Sequence, residues 1–306
     1  MSNYLVRKLI ALPFALLCAS FLIFGSVRLL PGDPARLMAG MQADQSVVEN
    51  VRHRLGFDRP FLVQYRLFLS HALRGDLGVS VRSQKPVSEE IAERIPYTVS
   101  LTVAAFAFAI LAGLSAGVLA AIFRRSWIDS AVTFSAIGAG SIPNYWLALM
   151  AMDLICVRLG WLPLMGANTA SSYVLPALTL GLLPAAIIAR MTRASMLEII
   201  NQNYIQTARA KGLSNAAVYL KHALRNALAP IVTIVGMNFA GLLGGAVITE
   251  TVFSWPGLGR LMVDAVHYRD YPTIQGLTLL TVATVTTMNL AVDLLIGVLD
   301  PRIRLD

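Results

Sequence analysis

Six stretches of the chain are apolar for long enough to cross a lipid bilayer. A spanning helix needs roughly 20 mainly apolar residues, because hydrocarbon offers no water to an unpaired backbone group. The stretches run from about Leu9 to Val27, Thr98 to Phe123, Ala131 to Val157, Tyr173 to Ala189, Pro230 to Val252 and Gly276 to Leu299. Gly and Pro recur inside them, at Pro143, Pro176, Pro184, Gly241, Gly244 and Gly245. Membrane helices tolerate that usage and soluble helices rarely show it. Only 14% of the 306 residues are charged and 56% are hydrophobic. A soluble domain carries roughly 25% charged residues, so a soluble enzyme, a disordered tail and a disulfide-stapled module are all disfavoured. Arg7 and Lys8 precede the first run as in a signal peptide, but Leu17 is not the small residue a cleavage site wants. The first run is therefore expected to stay as a helix.

The net charge of +8 reads as topology rather than as a nucleic-acid footprint. Twelve bases fall in alternate segments: Arg7 and Lys8; Arg124 and Arg125; Arg190, Arg193, Arg209, Lys211, Lys221 and Arg225; Arg302 and Arg304. The same segments hold only Asp129, Glu198, Asp300 and Asp306. The positive-inside rule then places both termini in the cytoplasm. The expectation is an all-α integral membrane protein with six transmembrane helices. Residues 1–30 form the N-terminus and first span, 31–97 an outer cap loop, and 98–306 a core containing a cytoplasmic segment at 191–229.

Two segments are too long to be mere connectors. The outer loop opens on LPGDPA at Leu30, shows helical patterning over Val47–Leu55 and Phe61–Leu73, and carries GDLGVS at Gly75. A short helix is expected over Val87–Arg94. With nine bases against eight acids the loop is nearly neutral. It fits either a folded cap that docks an outside partner or a loop that only packs on the bundle. The cytoplasmic segment is strongly basic, with Glu198 its one acid. Gly212 is placed to stop a helix over Thr207–Lys211. Ser214 is placed to cap a second helix over Asn215–Leu228, and Pro230 to begin the next span. Two short helices at a glycine corner suit docking into a groove of another protein, and the basic face also suits anionic lipid headgroups.

The corner resembles the cytoplasmic coupling loop of binding-protein-dependent ABC importer permeases. That pattern is Glu-Ala-Ala, three residues, Gly, nine residues, Ile, one residue, Leu-Pro. The chain keeps Ala208, Gly212 and Leu224 and departs at Gln206, Thr207, His222 and Arg225. The departures resemble the peptide/nickel branch, with TARAKG at Thr207–Gly212 and KHALRNAL-x-P at Lys221–Pro230. So do GGAVITETVFSWPGLGRL from Gly244, RDYP at Arg269–Pro272 and LDPRIR from Leu299. Val87, Ile91, Arg94, Pro96, Thr98 and Leu101 fit the branch's approach to its second span. LPGDPARLMAG looks most like glutathione permeases.

The resemblance implies a type I ABC importer permease fold in a bacterial inner membrane, forming half of a translocation pathway for small peptides or peptide-like solutes. It implies a second homologous permease, two ATP-binding subunits that hold ATP and Mg, and a periplasmic solute-binding protein. Membrane lipid is its other contact, and neither nucleic acid nor a cofactor is expected on this chain. The ATPase-coupling residues it implies are Gln206, Ala208, Arg209, Lys211, Gly212, Lys221, His222, Arg225 and Asn226. A side chain at Gly212 is expected to meet both steric and φ > 0 costs. The resemblance implies a transporter subunit and not an enzyme, and the residues agree on one negative point, which leaves the energy to come from a partner or from an ion gradient. Lys8, Lys85, Lys211 and Lys221 are the only lysines, and none follows a glycine as a phosphate-binding loop requires. His53, His71, His222 and His267 are scattered, and Cys18 and Cys156 lie in or near apolar runs, so no catalytic set or metal site forms.

Polar groups inside spans are pathway candidates by default. These are Asn238, Gly241, Gly244, Glu250 and Asn289. Glu250 is open to a second role, capping the Trp255-Pro256-Gly257 turn, and the glycines to close helix packing. Asp153 has Arg158 as a candidate partner, and Asp293 has Arg302. The rival class is a gradient-driven secondary transporter, which would work alone and usually shows inverted repeats.

Overall fold

The computed structural model describes residues 2–29, 35–36, 42–56 and 58–299. Most of the LPGDPA stretch (30–34) and of the terminal LDPRIR stretch, with Arg302, lies outside the described residues. In chain order the helices are α1 (Ser2–Leu29), α2 (Gln45–Leu55), α3 (Phe61–Ala72), α4 (Val87–Ile122), α5 (Trp127–Ser141) and α6 (Asn144–Ala151). A π-helical stretch, Met152–Arg158, continues α6, and a short 3-10 turn, Ala170–Tyr173, leads into α7 (Val174–Ile200). Then follow α8 (Asn203–Ala210), a π-helical stretch Ala217–Leu224, α9 (Arg225–Val252), α10 (Leu258–His267) and α11 (Tyr271–Leu299). No β-strand occurs among the described residues; one isolated bridge joins Val79 and Pro86.

Among the described residues, three helices are long and apolar enough to cross a membrane: Val87–Ile122, Ala170–Ile200 and Tyr271–Leu294. The pair Trp127–Ser141 and Asn144–Arg158 qualifies only jointly and is bent by 106°. Four sequence expectations are corrected here. The short helix expected over Val87–Arg94 and the span after it are one helix, with Pro96 inside it. The run Ala131–Val157 is broken: Ile142 is extended (ψ 125°) because the ring of Pro143 crowds the residue before it. The run ending at Ala189 continues as helix to Ile200. Pro230 starts nothing, since α9 begins five residues earlier and carries it internally.

The chain divides into two compact units, one built from Met1–Pro96 and Gly257–Thr287, the other from Tyr97–Pro256 and Met288 onward. In the first, Phe21 and Phe24 of α1 meet Phe61, Tyr65 and Phe68 of α3 in mainly edge-to-face contacts with centroids 5.2–5.6 Å apart. The GDLGVS turn uses both of its glycines at positive φ, 80° at Gly75 and 88° at Gly78. Asp76 accepts from the Gly78 N–H at 3.0 Å, and that bond together with His71 holds its carboxyl below the usual range. Ser80 donates to buried Asp270 at 2.5 Å, and Val81 N–H donates to the same carboxylate at 3.2 Å. The backbone N–H of Thr273 donates to Asp270 at 3.4 Å, so the aspartate of RDYP caps α11 while holding the turn. Val87, Ile91, Leu261 and Leu277 form the apolar core beneath.

The second unit is organised by the crossing of α4 and α7. A Cβ on Gly113 would lie 2.7 Å from the Ala185 carbonyl oxygen. One on Gly117 would lie 2.5 Å from the Ala189 oxygen, and one on Gly181 2.5 Å from the Ala105 oxygen. These distances admit only hydrogen, so the backbones touch. The contacts ascend together along both helices, which therefore run parallel. Against the same face of the unit, α9 runs antiparallel to α7: Leu242 and Ala246 pack with Leu180 and Ala177 at one end, and Ala227 and Ile231 with Met196 at the other. Parallel α4 and α7 require the bent α5–α6 segment between them to return across the thickness of the unit.

A methyl at the crossing should be costly and one at an open site should not. Gly117→Ala is expected to lower the thermal midpoint of the purified protein in detergent, by about 1–3 kcal/mol of overpacking. Gly140→Ala, where a Cβ meets nothing within 4 Å, should leave the midpoint unchanged or raise it.

Candidate functional site

The basic corner is built as the spacing predicts at its centre and differently at its far side. The end of α8 is closed by Gly212 at φ +79°. Lys211 N–H donates to Thr207 O at 3.0 Å, Gly212 N–H to Arg209 O at 2.9 Å and Leu213 N–H to Ala208 O at 3.3 Å. The left-handed residue thus pairs carbonyls that the helix end would leave bare. Ser214 Oγ accepts from Ala217 N–H at 3.3 Å and starts the next segment. That segment is π-helical and flows into α9 without a break, so the corner is joined stiffly to a long apolar helix.

The base of the corner is apolar and closed. Ile205, Val218, Ala223 and Ala227 are buried with Met196, Ile231 and Ala121. Ala208 belongs to this base and faces inward. Gln206, Arg209, Lys211, Gly212, Lys221, Arg225 and Asn226 are exposed, and His222 is half-buried. Asn226 donates to His222 O at 2.7 Å and is turned along its own helix. Arg209 lies over the Tyr219 ring, 5.6 Å from its centroid, and its Nη2 donates to the hydroxyl at 3.3 Å. It ties the two sides of the corner together. Exposed Tyr204, Leu213 and Leu220 stand among the bases. A Cβ on Gly212 would meet nothing within 4 Å. The expected steric cost is therefore absent within the chain, and the backbone cost remains.

The residues expected along a pathway lie on α9, except Asn289 on α11. Asn238 donates to Ile234 O of its own helix at 2.8 Å, and Asn289 is exposed on α11. Gly241 faces open space. Gly244 lies within α9, but its surroundings fall outside the described residues. Glu250 is fully buried. It accepts from Thr98 Oγ1 at 2.6 Å, and its carbonyl accepts from Trp255 N–H at 2.8 Å. The Trp255 indole donates to Tyr97 O at 3.0 Å and packs on Tyr173 at 4.5 Å. The SWPG turn is thereby keyed to α4 at Tyr97–Thr98 and to the approach to α7. Asp153 accepts from Arg158 at 2.8 Å, the pairing its spacing suggests.

Two features escape a reading of the sequence by apolar runs and charge counts. The first is the crossing just described: Gly113 and Gly117 form a GxxxG pair inside an apolar helix, a signal that was available. The second is the pairing of Asp129 with Arg193. Arg193 holds both carboxylate oxygens, with Nη2 at 2.9 Å from Oδ2. Arg125 N–H adds a third bond at 3.0 Å. The pair is 64 residues apart in sequence, so nothing local announces it. It clamps the first turn of α5 to α7, just ahead of the corner.

Comparison with known proteins agrees along the whole chain. Residues 1–102 match the family described as binding-protein-dependent transport system membrane component, N-terminal. Residues 113–305 match binding-protein-dependent transport system inner membrane component. The glutathione transport system permease protein of Escherichia coli K12 is 45% identical over 304 residues, covering 99% of each chain. Its counterpart in Pectobacterium atrosepticum is 47% identical over the same span and coverage. Among solved structures, an inward-facing methionine ABC transporter superposes with a TM-score of 0.56 at 22% identity, over 69% of this chain and 96% of that one. An amino acid ABC transporter superposes at 0.53 and 18% identity, over 71% and 95%. At those identities they speak for the fold alone.

A charge clamp of this kind should show as coupling in a double-mutant cycle. Asp129→Ala or Arg193→Ala alone is expected to lower stability in detergent by about 1–3 kcal/mol, because each leaves a partly buried charge unpaired. The double variant should lose less than the sum. Strict additivity in thermal midpoints would show that the clamp contributes nothing.

Proposed function

The chain belongs to the binding-protein-dependent transport system inner membrane components, and on that premise we propose that it forms half of an ATP-driven import pathway for glutathione or close small-peptide relatives. It is a permease subunit of an ABC importer and an inner-membrane protein. The single observation that carries the cargo is the full-length likeness to glutathione permeases, at 45–47% identity over 99% of each chain. Dipeptides, longer peptides and nickel complexes are the alternatives within the same branch, and the partner binding protein selects among them.

The same reading gives six spans with both termini in the cytoplasm. Parallel α4 and α7 support it, since an even number of crossings separates helices that run the same way. The bent α5–α6 pair then counts as one broken span rather than a re-entrant loop. The basic segments fall on the cytoplasmic side of that topology. A second homologous permease completes the pathway, two ATP-binding subunits carry ATP and Mg, and a solute-binding protein delivers cargo from outside.

Coupling in this reading is mechanical. The exposed apolar side chains Tyr204, Leu213 and Leu220 seat the corner in the ATPase, and Lys211, Lys221 and Arg225 pair with its acids. Gly212 lets the corner be tight. The closed apolar base makes the corner move as one body with α7 and α9, so closure of the ATPases displaces both helices. Gln206 and Arg209 border the same surface, Ala208 supports it from beneath, and His222 and Asn226 sit where the corner passes into α9. A secondary transporter is the rival, and partner dependence separates the two.

Two measurements test this. In proteoliposomes holding the complete transporter and its binding protein, labelled glutathione should accumulate only with internal ATP. Accumulation by the permease pair without ATPase subunits would overturn the reading. Gly212→Val should leave the complex in the membrane, yet cut cargo-stimulated ATP hydrolysis several-fold. The φ of +79° alone makes a side chain unfavourable by roughly 1 kcal/mol. Hydrolysis at the unmodified rate would remove the corner from the coupling mechanism.

A further inference from the structure

The helix α3 belongs to the stretch that the sequence casts as an aqueous outer cap, but its contacts place it elsewhere. It packs on α1 and not above it. Phe61 and Phe68 pack on Phe24, and Phe61 reaches Gly25. The Tyr65 hydroxyl lies 2.8 Å from Ser20 Oγ and 3.2 Å from the Leu17 carbonyl oxygen. The apolar run of α1 extends to about Val27. At 1.5 Å per residue, the crossing at Ser20–Gly25 lies about 3–10 Å below the end of that run, and Leu17 lies ~15 Å below it. An interfacial helix buries its apolar face about 5–10 Å into the boundary between headgroups and acyl chains.

The composition of α3 fits the same depth. Leu62, Arg66, Leu69 and Leu73 share one side at helical spacing, with Val63 beside them. Leu62 is 69% exposed and Leu73, just past the helix, 81%. These are large apolar groups that an aqueous cap would bury. From Arg59 to Arg74 the charges are three exposed arginines and no acid, with His71 besides. A basic amphipathic helix with apolar residues facing outward is a membrane-surface element. Long arginine side chains reach up to phosphate while their stems lie along hydrocarbon. On α1 itself Phe14 and Leu22 are likewise outward and exposed, so the apolar surface of α3 continues a lipid-facing one.

We propose that α3 is an interfacial helix lying in the outer leaflet of the inner membrane, its Leu62, Val63 and Leu73 in the acyl region and Arg59, Arg66 and Arg74 at the lipid phosphates. The partner is the lipid surface. The outer loop is thereby anchored into the bilayer beside α1, and only the rest of it stands in water. This rests on α1 being a span.

Site-directed spin labelling of the full chain in the assembled transporter tests both, in vesicles of phosphatidylethanolamine and phosphatidylglycerol. Cys18 and Cys156 are replaced by Ala, and single nitroxides are carried by Leu62→Cys, Leu73→Cys, Phe14→Cys and His53→Cys. The readout is the ratio of collision with oxygen, which partitions into lipid, to collision with a water-soluble nickel chelate. Labels at Leu62 and Leu73 should show a ratio several-fold above that at His53, and Phe14 a higher one still. Water-like ratios at Leu62 and Leu73 with a lipid-like ratio at Phe14 would overturn the placement of α3 alone. If added binding protein then shielded them from nickel, the surface would be a protein dock. A water-like ratio at Phe14 would overturn the spanning role of α1, and the placement of α3 with it.

Discussion

The backbone-to-backbone crossing of α4 and α7 is the constraint on which the second unit depends. In lipid the hydrophobic effect does little to press one apolar helix against another, so association relies on close van der Waals packing. Gly113, Gly117 and Gly181 supply it by removing the side chains that would keep the axes apart. Ala105, Ala109, Ala185 and Ala189 extend the same small-residue faces above and below. Because the crossing is parallel, it dictates what the chain between must do. The α5–α6 segment has to come back across the unit, and it does so with a bend where Pro143 forbids helix at Ile142. The crossing also fixes α7 as the element around which α9 packs in the opposite direction.

In the proposed coupling, that arrangement turns a surface corner into a mechanical part. The residues exposed on the corner would be worth little if its base were loose. Instead Ile205, Val218 and Ala223 close on Met196 of α7 and on Ala227 and Ile231 of α9. The helix α7 runs on to Ile200, well beyond its apolar part, and so delivers the corner at a set distance from the crossing. The Asp129–Arg193 clamp stiffens that extension against α5. At the opposite end of the unit, Glu250 and Trp255 lock the end of α9 to Tyr97 and Thr98 at the start of the α4 portion. Forces applied at the corner therefore meet a bundle pinned at its far end.

Helical class, the approximate positions of the apolar runs and the glycine corner were legible because they rest on local rules. Gly212 needed only its place after a short helix and before Ser214, and α2 and α3 only their periodicity. The errors share a cause. Pro230 marks a boundary by sequence, yet it lies inside a helix, as Pro96 does, since packed membrane helices absorb the lost hydrogen bond. Sequence order does not say which way a residue faces, so the inward turn of Ala208 is visible only in the structure. Gly241 is a packing candidate by type, but among the described residues a Cβ there meets nothing within 4 Å, whereas one at Gly117 meets the Ala189 backbone.

Composition and periodicity by themselves determined that this chain is a helical membrane protein with a basic corner. Those properties depend on transfer free energies and on residues within one or two turns of each other. Only the tertiary structure decided that α4 and α7 touch through glycine, that Asp129 answers Arg193, that Glu250 faces Thr98, and that α3 leans on α1 below the end of its apolar run. Each joins residues tens of positions apart. Such pairs are selected by the global packing of helices, and no local propensity carries that information.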